Sequence, residues 1–248
     1  MSEKTKLLAI GAASNAIGSI TDVEAACRIA KAAGVLSFID AVHYAAHELV
    51  DVRRIGCDFL ACSAYKFYGP HVGILYGRRE LLESIDFPKL RPAPDNSPDR
   101  VETGTQSFES IAGAGAAVDF LASLAEGATR RERLSNTYRG FAARKKELIG
   151  FAMKELASID GVRVFGPAAD ARRTPTLAIS VKGVPAKRLT ELLAEKGVFT
   201  SHGDFYASTI VKKLGFGEEG LLRAGCACYT DMREMERLVE GIRAIVRR

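Results

Sequence analysis

Apolar positions along the chain fall into two textures. In the first, short unbroken apolar runs alternate with segments of helical spacing. Lys6–Ile10 is one such run and Val35–Ile39 another. Between them, Asp22–Ala33 places Val23, Ala26, Cys27 and Ala30 on one side of a helix. Thr21 reads as its N-cap, with Glu24 three residues on, and Gly34 as its stop. Run, helix, run is the pattern of a parallel sheet. Phe59–Cys62 and Val72–Tyr76 read as two further strands, Val50–Ile55 as a short helix or turn, and Glu80–Ile85 as a helix. Residues 86–100 carry Pro88, Pro92, Pro94 and Pro98 with little apolar period, which predicts a loop. Helical spacing returns over Ser110–Leu124 and over the long stretch Thr129–Ile159.

From Val162 the texture changes. Val162–Phe165 and Thr176–Val181 alternate as antiparallel strands do. Ala186–Glu195 is helical, Val198–Thr200 and Leu222–Ala227 are strands, and Met232–Val246 is a closing amphipathic helix. The expected fold class is α/β. A mostly parallel sheet forms a large domain over 1–128, and a small α+β C-terminal domain with a bridging helix occupies 129–248. No internal repeat is visible.

Composition narrows the function classes. Hydrophobic residues make up 47% of the 248, enough for a substantial core. The balance of 35 basic against 30 acidic residues is modest, and many basic residues stand beside acids, as in Arg130-Arg131-Glu132-Arg133. That is the pattern of a solvated helix face, so no nucleic-acid partner is expected. No apolar run reaches the ~18 residues that a membrane span needs, and residues 1–6 hold no signal-peptide core. Cys27, Cys57, Cys62, Cys226 and Cys228 show no metal or redox spacing. An odd number of thiols reads as reduced and the protein as cytoplasmic, with no metal site.

Candidate chemistry centres on Lys66. The run Phe59–Cys62 delivers it into a turn closed by Gly69-Pro70, and Val72–Tyr76 leaves that turn. A lysine at a strand end in apolar surroundings can lose its proton and attack a carbonyl. Twenty-six positions earlier the run Val35–Ile39 ends in Asp40. An amine and a carboxylate on neighbouring strand ends are the two groups that pyridoxal phosphate needs, one for its aldehyde and one for its pyridine nitrogen. Taken singly, each has a plainer reading: a surface turn lysine, and an aspartate capping a turn. Ser63-Ala64-Tyr65-Lys66 also fits the S-x-x-K pattern of acyl-enzymes. That chemistry needs both residues on the first turn of a helix, which Gly69-Pro70 opposes, and no Ser-Asp-Asn or Lys-Thr-Gly partner occurs.

Three segments carry a resemblance. They are Phe38-Ile39-Asp40-Ala41-Val42-His43-Tyr44-Ala45-Ala46-His47, the stretch from Gly56 to Pro70 around Lys66, and Glu102-Thr103-Gly104-Thr105-Gln106. Together they resemble class V aminotransferases of the pyridoxal-phosphate fold-type I group, most of all the cysteine desulfurase-like branch. Arg223-Ala224-Gly225-Cys226-Ala227-Cys228-Tyr229 resembles the substrate-arginine strand of that family. The resemblance implies pyridoxal 5′-phosphate as cofactor and a Schiff base at Lys66, which would also shuttle the α-proton. Asp40 would pair with the pyridinium N–H. His43 stands where related desulfurases show a glutamine reaching the phenolic oxygen, and can make the same hydrogen bond. Ser63 would donate to the phosphate, and Thr105 resembles the threonine that contacts the phosphate of the neighbouring subunit. Asn15 resembles the asparagine beside substrate and cofactor oxygen. Arg223 would clamp the substrate carboxylate with its planar fork.

The chain departs from the family's pattern in two places. The resemblance implies that the first strands and helices of the large domain lie outside this chain. A homodimer, or a second chain supplying that N-terminal part, is therefore expected. In the loop Thr200-Ser201-His202-Gly203-Asp204-Phe205-Tyr206-Ala207, no cysteine is present to take sulfur. Tyr206 stands near its place, and Phe199 stands where desulfurases often show a second arginine. A transferase or lyase acting at the α carbon of a small amino acid fits this loop better than a persulfide-forming desulfurase. The alternative is a truncated or non-catalytic homologue that keeps the fold as a scaffold. Cys226 and Cys228 are expected to pack rather than react.

Overall fold

The structure is a computed structural model and describes residues 1–247. The chain divides into two compact units, Met1–Ala12 with Thr21–Tyr138, and Ala13–Ile20 with Arg139 onward. The division falls inside a long helix, whereas the sequence placed a boundary ahead of that helix at 128/129.

The first unit is built on β1 (Leu7–Gly11), β2 (Leu36–Asp40), β3 (Phe59–Ser63) and β4 (Gly73–Gly77), in that order across one sheet. The first three strands run parallel and β4 is antiparallel. α1 (Val23–Ala32) connects β1 to β2 and packs on β2 through its apolar face, with Val23, Cys27 and Ala30 buried. Its N-cap is Asp22, whose carboxylate accepts the Ala25 N–H at 2.9 Å, and not Thr21. Thr21 donates its own N–H to Ala12 O at 2.9 Å, so the chain is still paired there and turns helical one residue later. Glu24 is paired with Arg54 at 3.1 Å instead of closing a capping box. α2 (Val52–Ile55) ends on left-handed Gly56 and leads into β3.

A polar knot fixes the entry of β3 beside β2. The Asp58 carboxylate accepts the N–H and Oγ–H of buried Ser37 at 2.8 and 2.9 Å, while Asp58 N–H donates to Ser37 Oγ at 3.0 Å. Arg78 closes the other carboxylate oxygen at 3.1 Å. A buried serine is stable here because each polar atom has a partner. α3 (Arg79–Ser84) follows β4, and α4 (Phe108–Ser123) follows the proline loop. α4 carries apolar residues on its outer side as well as its inner one: Ala114, Ala117 and Leu121 are buried, while Phe108, Ile111 and Phe120 are exposed. α5 (Arg130–Ala157) is the long helix in which the two units meet in sequence.

The second unit carries β5 (Val162–Phe165), β6 (Thr176–Val181), α6 (Ala186–Ala194), β7 (Ser201–Gly203), α7 (Ser208–Lys213), β8 (Leu221–Gly225) and α8 (Met232–Val246). Its sheet is antiparallel in the order β5-β6-β8-β7. Leu177, Ile179 and Val181 of β6 join a core with Leu148 and Leu156 of α5, Leu189 and Leu193 of α6, and Leu238 and Ile242 of α8. On the other face Ala178 packs with Phe165, Val211 and Leu221. Burial on both faces explains why β6 reads as a nearly continuous apolar run. α8 opens with a complete capping box between Asp231 and Glu234.

The strand expected at Val198–Thr200 lies instead at Ser201–Gly203, where Ser201 pairs with Arg223. Phe199 is 86% exposed, so the apolar pair Val198-Phe199 marks the approach to the strand and not the strand. Residues 13–20 belong to this unit through backbone contacts. Ser19 bridges to Arg173, Thr174 N–H donates to Gly18 O at 2.8 Å, and a Cβ at Gly166 (φ +109°) would meet Ile17 O at 2.1 Å. Arg173 is 1% exposed and donates to the carbonyls of Pro167, Thr174 and Thr176 and to Met153 Sδ. Among the described residues no helix is long and apolar enough to cross a membrane.

Candidate active site

In the first unit, Asp40 stands at the carboxyl end of β2, and Lys66 just beyond that of the adjacent parallel strand β3. Open α/β sheets bind their ligands in this region. Asp40 is the last residue of β2 and lies opposite Gly11 on one side and Ala61 on the other. Its backbone is held from both neighbours: its O accepts the Ala12 N–H, and the next residue, Ala41, donates to Ala61 O, each at 2.8 Å. Its Oδ1 accepts the Val42 N–H at 2.9 Å, an Asx turn that leaves Oδ2 with no hydrogen bond among the described residues. The side chain is exposed. His43 follows at the start of a one-turn 3-10 helix, Tyr44–Ala46, half-buried and edge-on to His47 at 4.9 Å.

β3 ends at Ser63, and the connection to β4 is a single 3-10 turn, Ala64–Phe67, that carries Lys66. Ser63 is its N-cap residue but spends no side-chain bond on the cap. The S-x-x-K spacing therefore does sit on a helical turn, one that ends at once on left-handed Tyr68. Gly69 N–H closes the turn onto Ala64 O at 2.9 Å, and a Cβ at Gly69 would sit 2.9 Å from that of Ala64. Only glycine tolerates this approach. Lys66 is exposed rather than set in apolar surroundings, and has no ion pair among the described residues. Its Nζ lies 5.0 Å from the Tyr65 ring centroid, and that ring stacks on His71 at 4.8 Å with 10° between planes. The Tyr65–His71 stack was missed in the sequence, since neither residue carries a motif signal alone. Thr105 lies in the segment ahead of α4 after Gly104 (φ +122°). It is exposed and without a hydrogen bond among the described residues.

In the second unit, Asn15 and Arg223 are in direct contact. Arg223 Nη1 donates to Asn15 O at 3.1 Å. Asn15 Nδ2 donates to Phe205 O at 2.8 Å, and the Arg223 guanidinium lies over the Phe205 ring, 4.2 Å from its centroid. Burial lowers the pKa of Arg223 from its ordinary value, as it does for any cation withdrawn from water. Phe205 escaped the sequence reading, because an aromatic residue in a loop gives no signal until its contact is seen. Cys226 is buried with its Sγ 3.5 Å from Met235 Sδ, and burial pushes its pKa up to about 11.

The donor set of the first unit fits a pyridoxal group. Among the described residues, Asp40 has an unspent carboxylate oxygen for a ring N–H, Ser63 a hydroxyl not committed to its cap, and Lys66 an amine with no counter-ion. The Arg223 fork of the second unit fits a carboxylate.

Comparison with known proteins identifies the family. Residues 1–238 match the family model described as aminotransferase class-V. A probable cysteine desulfurase of Mycobacterium leprae is 30% identical over 98% of this chain and 57% of its own length. A cysteine desulfurase of Pectobacterium atrosepticum is 30% identical over 100% of this chain and 60% of its own. Among solved structures, the Escherichia coli cysteine desulfurase CsdA superposes with a TM-score of 0.84 at 27% identity, covering 100% of this chain and 60% of that one. An apo cysteine desulfurase of Thermococcus onnurineus gives 0.85 at 25% identity, covering 98% and 60%. The chain thus spans about three-fifths of the length of the relatives it matches. Its fold is that of the matching part of these fold-type I proteins, and the chain belongs to the class V aminotransferase family.

Proposed function

We propose that this chain carries the lysine, ring-nitrogen partner and carboxylate clamp of a pyridoxal-phosphate-dependent enzyme acting at the α carbon of a small amino acid. The observation that carries the reading is the position of Asp40 at the end of β2 and of Lys66 in the turn after its parallel neighbour β3, each with an uncommitted group among the described residues. When bound, pyridoxal 5′-phosphate supplies an electron sink at the substrate's α carbon. Lys66 Nζ accepts and returns the α-proton. The Asp40 carboxylate keeps a ring N–H protonated by its charge. His43 would donate to a phenolic oxygen and Ser63 Oγ to a phosphate oxygen, while Thr105 Oγ1 would reach the phosphate of a neighbouring subunit. Arg223 receives the substrate carboxylate, and Asn15 orients the side of the fork it touches.

Cysteine desulfurases are similar in sequence, but residues 200–207 contain no thiol. We therefore assign a transferase or lyase reaction rather than persulfide formation. Purified protein supplied with pyridoxal 5′-phosphate is expected to gain an absorption band near the visible edge that Lys66→Ala removes. No sulfide release from L-cysteine is expected. A colourless protein under the same conditions would instead support a scaffold that needs a second chain to hold the cofactor. Asp40→Asn keeps the Asx turn, so it is expected to retain the fold and lose turnover.

A further inference from the structure

We infer that Phe205 is the positioning residue of the Arg223 fork: its ring covers one face of the guanidinium, so a carboxylate ligand is received edge-on. The inference rests on the proposed role of Arg223 as the group that binds a substrate carboxylate.

Phe205 and Tyr206 both adopt left-handed backbone, with φ of 58° and 60°. Bulky residues are rare in this region, and such strain collects at functional loops. Glycine would take φ of 58° freely, so the phenyl group is kept for what it touches. The turn sends the two side chains to different fates. Tyr206 is fully exposed, while Phe205 lies under the guanidinium at 4.2 Å and packs against the cluster of Phe165, Val211 and Leu221. The ring is therefore a fixed platform.

Two further contacts complete the frame. Arg223 Nη1 is spent on Asn15 O at 3.1 Å, and Asn15 Nδ2 returns to Phe205 O at 2.8 Å. Three segments far apart in sequence thus close one circuit around the guanidinium. Its remaining nitrogens have no hydrogen-bond partner among the described residues, and one face is shielded by the ring. A planar carboxylate meets such a fork in its own plane, through parallel N–H donors. The negative face of the ring also supports the cation in a half-buried place without a counter-charge competing for the ligand.

The test measures the affinity of L-alanine for the full chain, with pyridoxal 5′-phosphate supplied, by calorimetry. L-Alaninol, which lacks the carboxylate, is the control. Phe205→Leu keeps an apolar side chain without a π face, Phe205→Tyr keeps the π face, and Phe205→Gly removes the ring while suiting the backbone. Phe205→Leu and Phe205→Gly are expected to weaken L-alanine about fivefold or more, with Phe205→Tyr close to wild type and L-alaninol unaffected. The side-chain ¹H–¹⁵N resonance of Arg223 is expected to lose its ring-current shift in the same two variants. Wild-type affinity in Phe205→Leu, with Arg223→Ala impaired, overturns the role of the ring and leaves the carboxylate site standing. Wild-type affinity in Arg223→Ala overturns the carboxylate site and the inference with it.

Discussion

Burial pushes the thiols of Cys57 and Cys226 up to about 11 and the phenol of Tyr138 up to about 12. For Cys57 the nearby Cys27 adds to the effect, and for Tyr138 the neighbours Tyr68, Cys62 and Glu48 do. Between the ordinary values and these raised ones, the unfolded chain ionises while the folded chain keeps its protons. The unfolded state then holds fewer protons, so stability falls as pH rises from about 9. Urea midpoints recorded from pH 8 to 11 are expected to drop, and to drop less in Cys57→Ala/Cys226→Ala. The thiolate is the nucleophile, so alkylation at pH 8 is expected to spare these two cysteines until the protein unfolds. At this scale the place of Asp40 at the end of β2 and of Lys66 in the turn after β3 was legible, because an apolar run leads to each. Phe205 was not, because its role depends on an arginine that only tertiary structure brings beneath its neighbours.

Elements were read best where one period ran without interruption. β1, β2, β3 and α8 follow their apolar patterns within a residue or so of the expected ends. α1 was found but its cap was misplaced, since a paired backbone at Thr21 outweighs a good side-chain signature. α7, six residues long, was missed, and β7, three long, was expected three residues too early; both are too short for a period to show. Arg173 illustrates what no pattern discloses: a buried cation whose fork ties the carbonyls of Pro167, Thr174 and Thr176. Arg173→Met leaves those acceptors unpaired and is expected to cost about 3 kcal/mol or more in urea denaturation. Arg173→Lys is expected to restore little, since an ammonium cannot span the same fan of acceptors. Asp231→Ala breaks the α8 capping box and is expected to cost about 1 kcal/mol by the same measurement.

At the scale of the whole molecule, apolar surface stands exposed on two faces of the first unit. Ile74 and Leu75 on β4 are 40% and 56% exposed, and Phe108, Ile111 and Phe120 of α4 at least half. Exposed apolar patches of this kind mark contact sites. Sedimentation of the chain is expected to show association that Leu75→Glu/Phe120→Glu reduces, without loss of helical signal. The membership of residues 13–20 in the second unit has a practical reach. A fragment cut at Arg139 would lose eight residues that Gly166, Thr174 and Arg173 grip through their main chain, together with the oxygen that steadies Arg223. Anyone wishing to isolate the smaller half would have to graft that octapeptide back, by a rearranged order of segments or as an added peptide, to recover a stable product.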